Sequence, residues 1–170
     1  MTFRVFEYSG VVAGKSHNPS ILNPDFLERE KIVPKSWGWK LAETITTLPM
    51  AMVRYVNGVS VTVEQHKLQV VDPNVENGPE RSKVASIISK YVKTLPHVNY
   101  TAVGTNFRGI IPWEEPQRYL VEQYLKEGPW RTSIAAVGLR LVYPIQDGGT
   151  LTISVDAGEA KLPDSADPQS

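Results

Sequence analysis

Residues 50–71 read MAMVRYVNGVSVTVEQHKLQVV, and this stretch decides the fold. Asn57-Gly58 separates two alternating runs, and Asn-Gly favours a tight hairpin turn because both residues tolerate positive φ. A two-residue turn there pairs Val56 with Val59, Arg54 with Val61 and Met52 with Val63. A second tight turn at Gln65-His66 pairs Val63 with Leu68 and Val61 with Val70. One face then carries Met52, Val56, Val59, Val61, Val63, Leu68 and Val70, as a half-buried sheet requires. Ser60, Thr62, Glu64, Lys67 and Gln69 take the other. Residues 44–71 are therefore expected to form a three-stranded antiparallel meander, with Pro49 marking an edge or a bulge.

Working outward, residues 3–13 alternate as a strand, with Tyr8 and Val12 on one side and Glu7, Ser9 and Val11 on the other. Asn23-Pro24 is a helix start, a capping side chain followed by a residue whose fixed φ suits the first turn. That helix runs to about Val33. Val84, Ile87, Ile88, Tyr91, Val92 and Leu95 make one apolar stripe at helical spacing, stopped by Pro96. A strand follows over 100–111, and a third helix runs from Pro116 to Gly128. Residues 134–155 read as a second hairpin. A loop at Asp147-Gly148-Gly149 pairs Ile145 with Leu151, Tyr143 with Ile153 and Leu141 with Val155. The expected class is α+β: an antiparallel or mixed sheet of six to seven strands, with three helices mainly on one face. Residues 1–156 read as a single domain and 157–170 as a disordered tail, since that end is small, polar and acidic.

Composition narrows the function. The 18 basic residues balance 18 acidic ones, which argues against a long nucleic-acid footprint. No apolar run approaches the roughly 20 residues that span a bilayer, and no secretion signal opens the sequence. There is no cysteine, so thiolate chemistry and cysteine-held metals are excluded, and a reducing cytoplasm fits.

Motifs with chemical roles are missing. Gly104 and Gly109 are spaced as in a phosphate loop, but Ile110-Ile111 stands where lysine and a hydroxyl residue must follow. Asp72, Asn74 and Glu76 imitate the start of a calcium loop, yet Asn77 and Lys83 replace its glycine and its bidentate glutamate. His17, His66 and His97 read as unrelated surface imidazoles. No metal or cofactor is expected.

Two polar or aromatic groups remain. Arg54, Asn106, Arg108 and Arg140 lie on strands and would form an anion site if those strands are neighbours. The alternative is ordinary sheet-face arginines paired to Glu7 or Glu43. Trp37, Trp39, Trp113 and Trp130 fall in loops, where they either seal the core or anchor a partner.

The strings Ile21-Leu22-Asn23-Pro24-Asp25-Phe26-Leu27, Leu95-Pro96-His97-Val98-Asn99-Tyr100, Asn106-Phe107-Arg108-Gly109 and Gly138-Leu139-Arg140-Leu141-Val142-Tyr143-Pro144 resemble those of uncharacterised bacterial proteins of similar length. The resemblance implies no activity, ligand or site residue.

The expected function is thus association between proteins, as a non-catalytic cytoplasmic homodimer. Ala51, Val53 and Tyr55 would supply apolar area on the uncovered sheet face, and Trp37, Trp39 and Tyr55 the partner contacts. The alternative is a phosphate- or carboxylate-binding protein or enzyme built on the arginines.

Overall fold

The meander forms with one strand more than expected. In the computed structural model, which describes residues 2–75 and 78–158, β1 (Arg4–Lys15) is followed by α1 (Pro24–Arg29). Four hairpin-linked strands come next: β2 (Leu41–Thr46), β3 (Met50–Tyr55), β4 (Ser60–Glu64) and β5 (Lys67–Asp72). Then come α2 (Val84–Thr94), β6 (Asn99–Ile110), α3 (Pro116–Tyr124), β7 (Gly138–Pro144) and β8 (Thr150–Asp156). The fold is α+β. Six strands form one antiparallel sheet in the order β2-β3-β4-β5-β1-β6, and β7 and β8 form a separate two-stranded sheet. The hairpin expected to join the large sheet therefore forms a sheet of its own. Contacts divide the chain into two compact units, Met1–Ile111 and Pro112–Ser170, where length alone suggests one domain over 1–156. Glu76 and Asn77 of the calcium-like loop, and residues 159–170 of the expected tail, lie outside the described residues.

Register corrects the sequence reading at one point. β4 and β5 pair as expected, Val61 with Val70 and Val63 with Leu68. β3 is one residue off: Val53 pairs with Val61 and Ala51 with Val63. The turn is a three-residue loop. Gly58 N–H donates to Tyr55 O and Tyr55 N–H to Val59 O, both at 2.9 Å. Gly58 alone takes positive φ, +88°, and the Asn57 side chain accepts from Val59 N–H at 3.1 Å. Asn-Gly serves this bulged turn as well as the two-residue one. A one-residue slip exchanges the faces. Ala51, Val53 and Tyr55 are consequently buried in the core, not displayed on a second face, and Met52 and Arg54 point outward. The two-residue register would have driven the Arg54 guanidinium among valines, at a cost no local partner offsets.

The core lies between the sheet and the first two helices. Asn23 caps α1, its Oδ1 accepting from Phe26 N–H at 2.8 Å. The helix ends earlier than expected, but Ile32 and Val33 are still buried. α2 turns Val84, Ile87 and Tyr91 inward and packs across β1 and β5. Gly10 permits that approach, because a Cβ there would collide with Ile88 and crowd Val84. Asp72 fixes the start of α2: its carboxylate accepts from Asn74 N–H at 3.1 Å and from the Ser82 hydroxyl at 2.6 Å.

The second unit's hairpin is also displaced from expectation, here by two residues. Tyr143 pairs with Leu151, Leu141 with Ile153 and Leu139 with Val155. Ile145 N–H donates to Gly149 O at 3.0 Å, so the loop is 146–148. A two-residue shift keeps the same side chains on the same face.

Candidate functional site

The arginine group does not gather within the first unit. Register sets Glu43 opposite Arg54 and Glu7 opposite Arg108. The resulting ion pairs measure 3.3 Å for Arg54 to Glu43 and 3.9 Å for Arg108 to Glu7. β4, β5 and β1 lie between Arg54 on β3 and Arg108 on β6, a span of about 19 Å at ordinary strand spacing. Asn106 and Arg108 do share the outer face of β6, opposite Ser9 and Glu7. Arg140 belongs to the second unit, on β7 opposite Ser154. Arg54 and Arg108 each face a carboxylate, so neither offers an uncompensated charge to an anion. Exposed pairs of this kind are worth at most about 1 kcal/mol.

The aromatic group does gather. Gly38, at φ +67°, turns the chain so that the Trp37 and Trp39 rings lie 4.9 Å apart, and Trp39 meets Tyr55 edge-on at 5.2 Å. Lys83 and Lys90 bring their ammonium groups to 5.8 and 5.1 Å from the Trp37 ring. Both tryptophans pack against the core cluster, so they seal its rim. Burial, and then the Glu28 carboxylate, push the Tyr55 hydroxyl up to about 12. Trp113 and Trp130, in the second unit, are exposed.

His17 was expected at the surface, yet it is only 4% exposed. Its ring lies 6.2 Å from Tyr91 and 5.8 Å from Tyr100. Among the described residues, neither imidazole nitrogen has a hydrogen-bond partner, and nor does the Tyr91 hydroxyl. Burial lowers the His17 pKa, and His66 lowers it further. Burial raises the Tyr91 phenol, with Tyr100 adding to it. The loop is held in place by Gly14 N–H to His66 O at 3.0 Å and His17 N–H to Gln65 O at 3.3 Å. Sequence carries no signal for this burial, because the turn that covers the loop lies about fifty residues away along the chain. Among the described residues, no three or more His, Cys, Asp or Glu side chains gather as a metal site.

Two open concavities stand out among the described residues. One, of about 450 Å³, includes Glu115, Arg118, Val121 and Arg131. Arg118 there binds Glu115 at 3.0 Å and Glu122 at 2.8 Å, and Arg131 donates to the carbonyls of Val121 and Leu125. The other, of about 400 Å³, includes Asn18, Asn23, Arg29 and His97. Asn18 and Asn23 are committed to capping, and Arg29 to Glu30. Neither presents a nucleophile beside a base.

The surface is less ordinary on β6 and on the β7–β8 hairpin. One hairpin face consists of Leu141, Tyr143, Leu151, Ile153 and Val155, each 42–48% exposed. On β6, Val103 and Phe107 are 72% and 53% exposed. Among the described residues no helix is long and apolar enough to cross a membrane. No protein-family model matches the chain, and no curated protein matches it.

Proposed function

We propose that this is a non-catalytic cytoplasmic protein that works by associating with a second copy of itself. The single observation behind this reading is the apolar face of the β7–β8 hairpin. Its five large side chains stand nearly half exposed, on a two-stranded sheet that pairs with no other strand among the described residues. An isolated two-stranded sheet is marginal in water and needs a surface to bury its apolar side. The patch is roughly 400 Å² per chain, the size of the largest apolar patch on a typical monomer, which is often functional. The earlier motive for self-association, Ala51, Val53 and Tyr55, does not contribute, since these residues are in the core. Cysteine-free composition agrees with a reducing compartment. Size-exclusion chromatography with light scattering tests the reading: twice the chain mass of 18.9 kDa is expected, and a monomer at high micromolar concentration would refute it.

A further inference from the structure

We infer that β6 is the edge on which the second copy docks, pairing antiparallel with its own counterpart about a two-fold axis through Thr105. This rests on the self-association proposed above, for which the hairpin face is the motive, and adds to it a contact of stated strand and register on β6.

β6 is 12 residues long. β1 occupies one side of it from Asn99 to Ile110, and the sheet ends there. Among the described residues, the backbone N–H and C=O groups on its other side pair with no strand. Natural sheets guard such edges by shortness, bulges, charge or proline. The opposite edge, β2, is guarded: it has 6 residues, an irregular register between Leu41 and Glu43, and a charged side chain at Glu43. β6 is guarded only at its ends, by register shifts on either side of Ala102–Arg108. Between them it runs in unbroken register against β1, and its only charged residue is Arg108 at the end of that span.

The span reads AVGTNFR over 102–108, and it is self-complementary about its centre. With Thr105 opposite Thr105 of the second copy, Val103 faces Phe107, Gly104 faces Asn106 and Ala102 faces Arg108. Apolar meets apolar, hydroxyl meets hydroxyl, and no guanidinium opposes another, which is what cross-strand pairing favours. Moving the axis to Gly104 sets Val103 against Thr105, and moving it to Asn106 sets Val103 against Gly109. An axis at Arg108 opposes two like charges. Phe107 already stacks on Tyr8 of β1, with ring centroids 4.7 Å apart and planes 4° from parallel. Val103 of the second copy would extend that apolar strip across the new strand pair. A contact of this kind uses the same patch on both copies, the isologous geometry of two-fold dimers.

The absence of cysteine makes the register readable by cross-linking. Residues directly opposite in an antiparallel pair have Cα atoms about 4.5–5.5 Å apart, within disulfide reach. Under mild oxidation, Thr105→Cys is expected to yield a covalent dimer. Ala102→Cys and Arg108→Cys should each stay monomeric on a non-reducing gel but cross-link when mixed. A dominant cross-link from Gly104→Cys or Asn106→Cys instead would overturn the register. Val103→Lys, at an exposed position, should reduce the light-scattering mass from twice 18.9 kDa to 18.9 kDa while leaving the circular dichroism spectrum unchanged. A wild-type dimer that neither cross-links through Thr105→Cys nor dissociates with Val103→Lys refutes the edge and leaves self-association standing. A wild-type monomer refutes both.

Discussion

Substituting threonine separately at Val53 and Met52 distinguishes the observed β3 register from the one that the Asn57-Gly58 turn suggests on sequence alone. In the structure Val53 is fully buried, opposite Val61 of β4 and Thr44 of β2. Threonine matches valine in shape, so Val53→Thr leaves no cavity, and the whole effect is a hydroxyl taken into the core. An unpartnered buried hydroxyl costs about 1–3 kcal/mol. Thr44 across the strand offers a partial partner, so the lower part of that range applies, about 1–2 kcal/mol. Met52 is on the outer face, opposite Thr62, and Met52→Thr exchanges a half-buried thioether for a good strand former. Its effect should fall within about 0.5 kcal/mol. With a urea dependence of about 2 kcal/mol per molar, Val53→Thr should lower the unfolding midpoint by roughly 0.5–1 M, and Met52→Thr should barely move it. Far-ultraviolet circular dichroism during urea titration reads both. If Met52→Thr proves the more damaging, the two-residue turn and its opposite face assignment are correct, and the burial of Tyr55 and Ala51 falls with Val53.

Asp72→Ala removes the acceptor of the Asn74 amide and the Ser82 hydroxyl at the start of α2; a cost of about 2–3 kcal/mol is expected, lowering Tm by roughly 4–10 °C. An unchanged Tm would mean that the carboxylate does not anchor the helix. His17 gives a pH effect of fixed sign: its pKa is lowered in the fold by burial and then by His66, so the unfolded chain takes up the proton more readily. Stability should therefore fall as pH drops through about 6.5, the unfolded value, and level off below the folded value. Tyr91, Tyr100 and His66 are the other titratable groups around the ring. His17→Leu should flatten the dependence of the urea midpoint between pH 7.5 and pH 5, and an unaltered slope would assign it to another group.

Most of what was legible in the sequence is local. α2 follows from a stripe of six apolar residues and a proline stop, and β1 and β6 from alternation. The Gln65-His66 turn sets the β4–β5 register because only one tight loop keeps Val61, Val63, Leu68 and Val70 together. β2 was missed as a separate strand because Thr44, Thr46 and Glu43 are exposed, so no apolar alternation marks it. His17 was misjudged because its burial comes from a turn remote in sequence. Alternation likewise identified the β7–β8 hairpin but not its place outside the large sheet, since a pattern of apolar residues names no partner strand. The alternative anion site depended on strand order for the same reason: Arg54 and Arg108 are equivalent in pattern, and only the strand order places three strands between them.

The two hairpin registers that differ from expectation show when sequence can choose between neighbouring pairings. In β3 the competing registers differ by one residue, so they exchange faces, and a single charge discriminates. One register exposes Arg54 beside Glu43, and the other buries it. Desolvating that guanidinium costs several kcal/mol, far more than the difference between two turns that both accept Asn-Gly. In β7–β8 the competing registers differ by two residues, and the pleat returns Leu141, Tyr143, Leu151, Ile153 and Val155 to one face in either. No charge lies on that face to decide between them. The choice then passes to the turn: Gly148 takes φ +76°, fixing the loop at 146–148, whereas a loop one residue later would ask the same of Gly149. Burial pins a strand only where a slip would change what is buried; elsewhere the geometry of one glycine decides.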